Sequence, residues 1–218
     1  MLFAFYPIVA VLGVLSMGFQ MIASRLIAPH YGSTIVEWVW LISTFLAAFS
    51  VGSILGGWIS NRPDRVRHRL QLAMAALGVA GFAFTARFGH GMLDSIEQRF
   101  IPISEMNDQG SAGMNTALLV SCLGLFFTPV TALSTFGPQC VNFLAGRGTA
   151  PGAASGIVYG VSTVGNIVGV MLTTFWLIPT FHLSTLMYVW LTVSILSLGS
   201  LLVILRAAPP LAGKPAQL

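Results

Sequence analysis

The chain has 218 residues, 56% hydrophobic and only 7% charged, with ten basic against six acidic side chains. A soluble domain carries about 25% charged residues, so a water-soluble enzyme is excluded. Ten basic residues scattered over the whole length form no nucleic-acid-binding face, and a mean hydropathy of +0.85 places the chain in the membrane.

Crossing a bilayer core takes about 20 apolar residues in a helix. Six stretches qualify: residues 3–23, 35–59, 70–87, 115–136, 154–178 and 184–205. The first, within "MLFAFYPIVAVLGVLSMGFQ", has no basic leader, and its apolar run exceeds the ~7–15 residues of a signal-peptide core. It is therefore expected to be a retained membrane helix. Arg25 stands near its outer end and is costly to bury in a membrane; it is a candidate anchor for an anionic ligand or a gate. In the "APHYGST" connection (28–34), Pro29 and Gly32 are expected to stop helix one, and Ser33 or Thr34 to cap helix two. Glu37, just beyond, is a candidate ionic partner of Arg25, and the sequence leaves open whether the two pair.

After the second stretch comes "NRPDRVRHR", with Arg62, Arg65, Arg67 and Arg69 against the single acid Asp64. Residues 88–113 are expected to form an outer loop, in which Leu93, Ile96 and Phe100 recur at helical spacing and suggest a short amphipathic helix on the membrane surface. In the fourth stretch Pro129 is expected to bend the helix, and Gly137 with Pro138 to close it. In the fifth, Tyr159 and Asn166 lie seven residues apart and share a face. The Pro-rich tail, 207–218, is expected to be disordered. Arg62, Arg65, Arg67, Arg69, Arg147, Arg206 and Lys214 fall on one side of this topology, and only Arg25, Arg87 and Arg99 on the other. The positive-inside rule then puts both termini in the cytoplasm. Cys122 and Cys140 have no metal-binding spacing and the four histidines are dispersed, so no metal, heme or flavin site is expected.

One pattern recurs. "VGSILGG" at 51–57 and "VGNIVGV" at 164–170 align at an offset of 113: Val51, Gly52, Ile54 and Gly56 match Val164, Gly165, Ile167 and Gly169, and Ser53 matches Asn166. The match pairs the second helix of one triplet with the second helix of the next. An odd number of spans per unit inverts the second unit, as in many transporters. The expected fold is an all-α membrane protein of six helices in two inverted three-helix repeats, about 1–88 and 114–206. The Gly-xxx-Gly spacings, 52/56, 156/160 and 165/169, are expected to be packing faces between helices two and five, with Ser53 and Asn166 bonded across the contact.

"GFQMIASRLIAPHYGSTIVEWVW" followed by "SVGSILGGWISNRPDR", then "STFGPQC" and "GIVYGVSTVGNIVGVMLTTFWLIP", resembles the membrane portion of the fused major-facilitator/spermidine-synthase-like bacterial proteins. The resemblance rests on Arg25, Pro29, Tyr31, Gly32, Ser33, Trp38, Gly56, Gly57 and Arg62, and later on Gly137, Pro138, Tyr159, Ser162, Gly165, Gly169 and Pro179. It implies half of a major-facilitator-like fold in a bacterial inner membrane. The sequence departs from the family pattern at Gln20, where glutamate is common, at Asn61, where aspartate is common, and at Glu37, where the family is apolar or aromatic. Such proteins carry a soluble aminopropyltransferase-like domain. Residues 1–218 contain no Gly-rich adenosyl-cofactor turn and no acid pair for a polyamine, so spermidine synthesis by this chain alone is not expected.

Two functions remain: a transporter half for a small or polyamine-related solute, or a non-catalytic membrane anchor docking a partner protein. Either implies lipid contact and a homo-oligomer or separate partner, with no cofactor. The candidate substrate or gating residues are Arg25, Glu37, Gln20, Tyr159 and Asn166.

Overall fold

A computed structural model describes residues 2–101 and 111–206. These residues form six helices long and apolar enough to cross a membrane, and no strand occurs among them. They are α1 (Leu2–Tyr31), α2 (Ile35–Ser60), α3 (Asp64–Phe100), α4 (Ala112–Ala145), α5 (Pro151–Thr180) and α6 (Leu183–Arg206). The chain is thus a multi-pass, all-helical membrane protein. The tail at 207–218 lies outside the described residues.

The helix ends differ from the hydropathy boundaries. Pro29 lies inside the last turn of α1, and the stop is Gly32. Its φ of 77° is a left-handed conformation that glycine adopts without strain, and its N–H closes on the Ala28 carbonyl at 2.9 Å. Thr34 caps α2, its hydroxyl accepting the Glu37 N–H at 3.3 Å. Residues 88–100, expected as the start of an outer loop, continue α3. At 37 residues and 1.5 Å per residue it runs about 55 Å, far beyond the ~30 Å hydrocarbon core. Leu93 and Ile96 are buried while Phe100 is exposed; the apolar stripe is present, but it packs on the bundle as part of α3. Likewise Gly137 and Pro138 do not close α4. Helix resumes at Phe136 and continues to Ala145, because Pro138 sits in its first turn, where a missing N–H costs little.

Prolines shape α4 and α5 in the same way. A wide π turn at Leu123–Phe127 precedes Pro129, and another at Thr173–Leu177 precedes Pro179. Proline has no N–H and its ring crowds the carbonyl four residues back, so the ladder locally opens to i→i+5. In α4 Pro129 has no N–H to give the Leu125 carbonyl four residues back. The buried Thr85 hydroxyl of α3 donates to it at 2.8 Å, meeting the demand for internal satisfaction in a membrane.

Backbones approach most closely at glycine. A Cβ at Gly52 would strike the Ser134 side chain and the Thr131 carbonyl of α4, and one at Gly56 the Thr135 carbonyl. A Cβ at Gly165 would strike the Ala10 carbonyl of α1, and one at Gly169 would lie 2.6 Å from the Val14 carbonyl. Gly13 of α1 returns the fit against the Ser162 carbonyl. The glycine faces of α2 and α5 therefore do not meet each other: α2 docks on α4, and α5 on α1. Gly156 and Gly160 meet nothing within 4 Å and leave their face open. The interior is closed by Phe19, Phe45, Phe82 and Phe126, one ring from each of α1 to α4. Phe19 stands edge-on to Phe82 at 4.6 Å and to Phe126 at 5.8 Å, the geometry aromatic quadrupoles favour. The Trp190 indole N–H donates to the Leu15 carbonyl at 3.1 Å and ties α6 to α1.

Two stability outcomes follow. Thr85→Val keeps shape but strands the Leu125 carbonyl, and should cost about 1–3 kcal/mol in detergent unfolding, with Thr85→Ser restoring most of it. Gly165→Ala should lower the melting midpoint sharply, while Gly160→Ala should leave it unchanged.

Candidate functional site

A cavity of about 220 Å³ lies among α1, α2, α4 and α5. Its wall takes Leu12, Ser16 and Met17 from α1, Phe49 and Ser53 from α2, Ser134, Gly137 and Cys140 from α4, and Tyr159, Ser162 and Asn166 from α5. The glycine contacts explain its position. Gly52 and Gly165 pull their helices against α4 and α1, and the next residue in each helix, Ser53 or Asn166, turns toward the space between. The polar pair expected to bond across a helix contact instead lines one cavity.

The polar groups on this wall are neutral; among the described residues no Asp, Glu, Lys, Arg or His contributes to it. Two of the hydroxyls on the wall bond to helix carbonyls. Ser16 donates to the Leu12 carbonyl at 2.9 Å, and Ser134 lies within bonding distance of both the Thr131 and Ala48 carbonyls. Asn166 is the wall residue with a fully buried unpartnered atom: its Oδ1 has no hydrogen-bond partner among the described residues, and it lies against Gly13. A buried amide oxygen left in this state costs free energy. Tyr159, half-exposed, forms the rim.

Tyr159 and Asn166 are thus brought together by the fold, and Ser162, between them at i+3 and i+7 spacing, joins their stripe. That spacing is legible in the sequence. Ser16 and Ser134 carry no such signal, because single serines in apolar helices usually satisfy their own backbone.

The remaining candidates lie elsewhere. Glu37 is fully buried, and the candidate pair with Arg25 does not form. One Glu37 carboxylate oxygen accepts from Ser24 Oγ at 2.9 Å, while Oε2 is without a partner among the described residues. Arg25 is exposed and borders a groove with Pro29, Phe181 and His182. Gln20 is buried on the α1 face it shares with Ser16 and Ser24, one turn from each, outside the cavity wall. Of the basic loop, Arg62 stacks over Trp58 at 3.9 Å and Arg67 pairs with Asp64 at 2.6 Å, while Arg65 and Arg69 are exposed. Arg147 stacks likewise over Phe143 at 4.4 Å, so α2 and α4 end in the same aromatic–arginine fashion. The Asn142 amide donates to the Ser60 carbonyl at 3.4 Å and holds these two ends together.

Comparison with known proteins finds no matching family model, no similar curated protein and no similar solved structure. The chemistry of the cavity carries the functional reading.

Glu37 faces no cation, so Glu37→Gln, which keeps its shape and an acceptor for Ser24, should leave the melting midpoint within about 4 °C of the parent, the span of roughly 1 kcal/mol at this size. Glu37→Lys, which puts a cation in the same enclosed space, should abolish folded yield on size-exclusion chromatography.

Proposed function

We propose that the chain is one lobe of a facilitator-type transporter in a bacterial inner membrane, with the α1/α2/α4/α5 cavity as its part of the passage for a small neutral solute. The observation that carries this reading is the cavity wall: four helices supply it, α3 and α6 supply none of it, and its polar groups are uncharged. The helix contacts fit the expected inverted repeat. Exchanging α1 with α4 and α2 with α5 turns the α2-on-α4 glycine contact into the α5-on-α1 contact, the relation expected of two three-helix units of opposite orientation. Two copies would supply twelve helices, with both termini on the side of the arginine-rich loop. The volume, about 220 Å³, is below the usual ~300–1,000 Å³ of drug-sized sites and suits a small solute. A polyamine, the alternative substrate suggested by the sequence, would meet no carboxylate in this wall.

A second reading, a membrane anchor that docks a partner, is favoured by one feature. Gly156 and Gly160 present bare backbone with none of the described residues within 4 Å, the kind of face on which another membrane helix packs.

The test is swelling of proteoliposomes in iso-osmotic glycerol, a pentose or alanine, with spermidine uptake measured alongside. The transporter reading expects permeation of a neutral solute well above protein-free vesicles, at least a tenfold fall in Ser162→Phe, no effect of Arg25→Ala, and no spermidine uptake. Permeation equal to empty vesicles for all three neutral solutes overturns it. A stoichiometric partner retained through gentle purification would then establish the anchor.

A further inference from the structure

We propose that the ends of α1 and α3 form a divalent transition-metal site of the zinc type, with His30, Asp94 and Glu97 as its protein ligands. His30 stands in the last turn of α1, and Asp94 and Glu97 stand one turn apart on one face of α3. His30 Nδ1 lies 2.8 Å from Glu97 Oε2 and 3.6 Å from Asp94 Oδ1. All three ligand atoms lie within 4.8 Å of one another.

Hydrogen bonding alone leaves this arrangement unbalanced. Both carboxylates converge on a single imidazole nitrogen, which carries at most one proton and satisfies at most one of them. Neither acid has a Lys or Arg ion-pair partner among the described residues. A divalent cation resolves the crowding by binding all three. Imidazole nitrogen with carboxylate oxygen is a donor set that suits zinc. Bonds of about 2.0–2.1 Å in a tetrahedron set ligand atoms roughly 3.3–3.4 Å apart, between the two distances already present. The carbonyl end of α1 adds favourable negative potential for a cation.

The site has an inside and a mouth. The His30 side chain is 11% exposed and that of Asp94 60%, so an ion enters past Asp94. On this open side, one turn before Asp94, is the exposed His90, its ring centre 6.4 Å from that of His30. A bound ion would take its fourth ligand from water or from His90. Neither helix supplies this set alone; 64 residues separate His30 from Asp94 in sequence. A bound ion would pin the overhanging end of α3 to α1.

The test uses the full chain in detergent, free of any affinity tag, stripped with chelator and titrated calorimetrically with zinc chloride. One equivalent per chain is expected, with Kd raised at least tenfold in Glu97→Gln and in His30→Gln, unchanged in His68→Gln, and unaffected by excess magnesium. Glu97 is partly exposed and away from the bundle interior, so its variant folds even if His30→Gln does not. Absence of a saturable equivalent overturns the site, as does binding that Glu97→Gln leaves intact.

Discussion

Close approach of backbones at glycine is the constraint on which this bundle depends. Within lipid, apolar side chains gain nothing by leaving one hydrocarbon surface for another, so helices associate through packing and hydrogen bonds. Packing is strongest where no Cβ intervenes. Gly52 and Gly56 bring α2 onto α4, and Gly165 and Gly169 bring α5 onto α1. Each contact fixes the rotation of its helix and hence what the neighbouring residues face. A glycine turned into the contact directs the following residue, Ser53 or Asn166, into the space left between the two helix pairs. The short stretches V-G-S-I and V-G-N-I thus do two things at once: the second residue docks and the third lines the cavity.

Proline adds a second layer. Pro129 and Pro179 each follow a turn of π-helix, and the widened turn leaves backbone groups to be answered by a neighbour. Thr85 answers in α4. Such turns place local slack in otherwise rigid helices, at the two elements that carry Ser134 on one side of the cavity and Ser162 and Asn166 on the other.

The number of helices and the centre of each were legible in the sequence, because about 20 apolar residues have no other stable home. Their ends were not. The Asp64–Arg69 segment is too charged to score as membrane, yet it is helical, with Arg67 paired to Asp64 one turn away. The same holds for residues 88–100, where Leu93 and Ile96 are buried and Asp94 and Glu97 turn to His30 at the end of α1. The glycine faces were visible as small-residue spacing, but their partners were not, since spacing tells which side of a helix is thin and not which helix fills it. Tyr159 and Asn166 were identifiable as one stripe. The candidate pair of Glu37 with Arg25 fails for a geometric reason: the Glu37 carboxylate turns to the Ser24 hydroxyl inside the bundle, whereas Arg25, the next residue along α1, points out to the groove. The convergence of His30 with Asp94 and Glu97 depends wholly on tertiary structure, and scattered histidines give no sign of it.

The α5-on-α1 contact also bears on how the protein is made. Ala10 and Val14, against which α5 closes, precede Gly165 and Gly169 by 155 positions. At about 5–20 residues per second, α1 waits roughly 8–30 s in the bilayer before its main neighbour exists. Throughout that interval the polar face bearing Ser16, Gln20 and Ser24 is without the shelter of α5 and α6. A helix made early in this bundle is thus completed by one made late, and an insertase or chaperone that holds α1 through this delay would act on the least settled stage of the bundle's assembly.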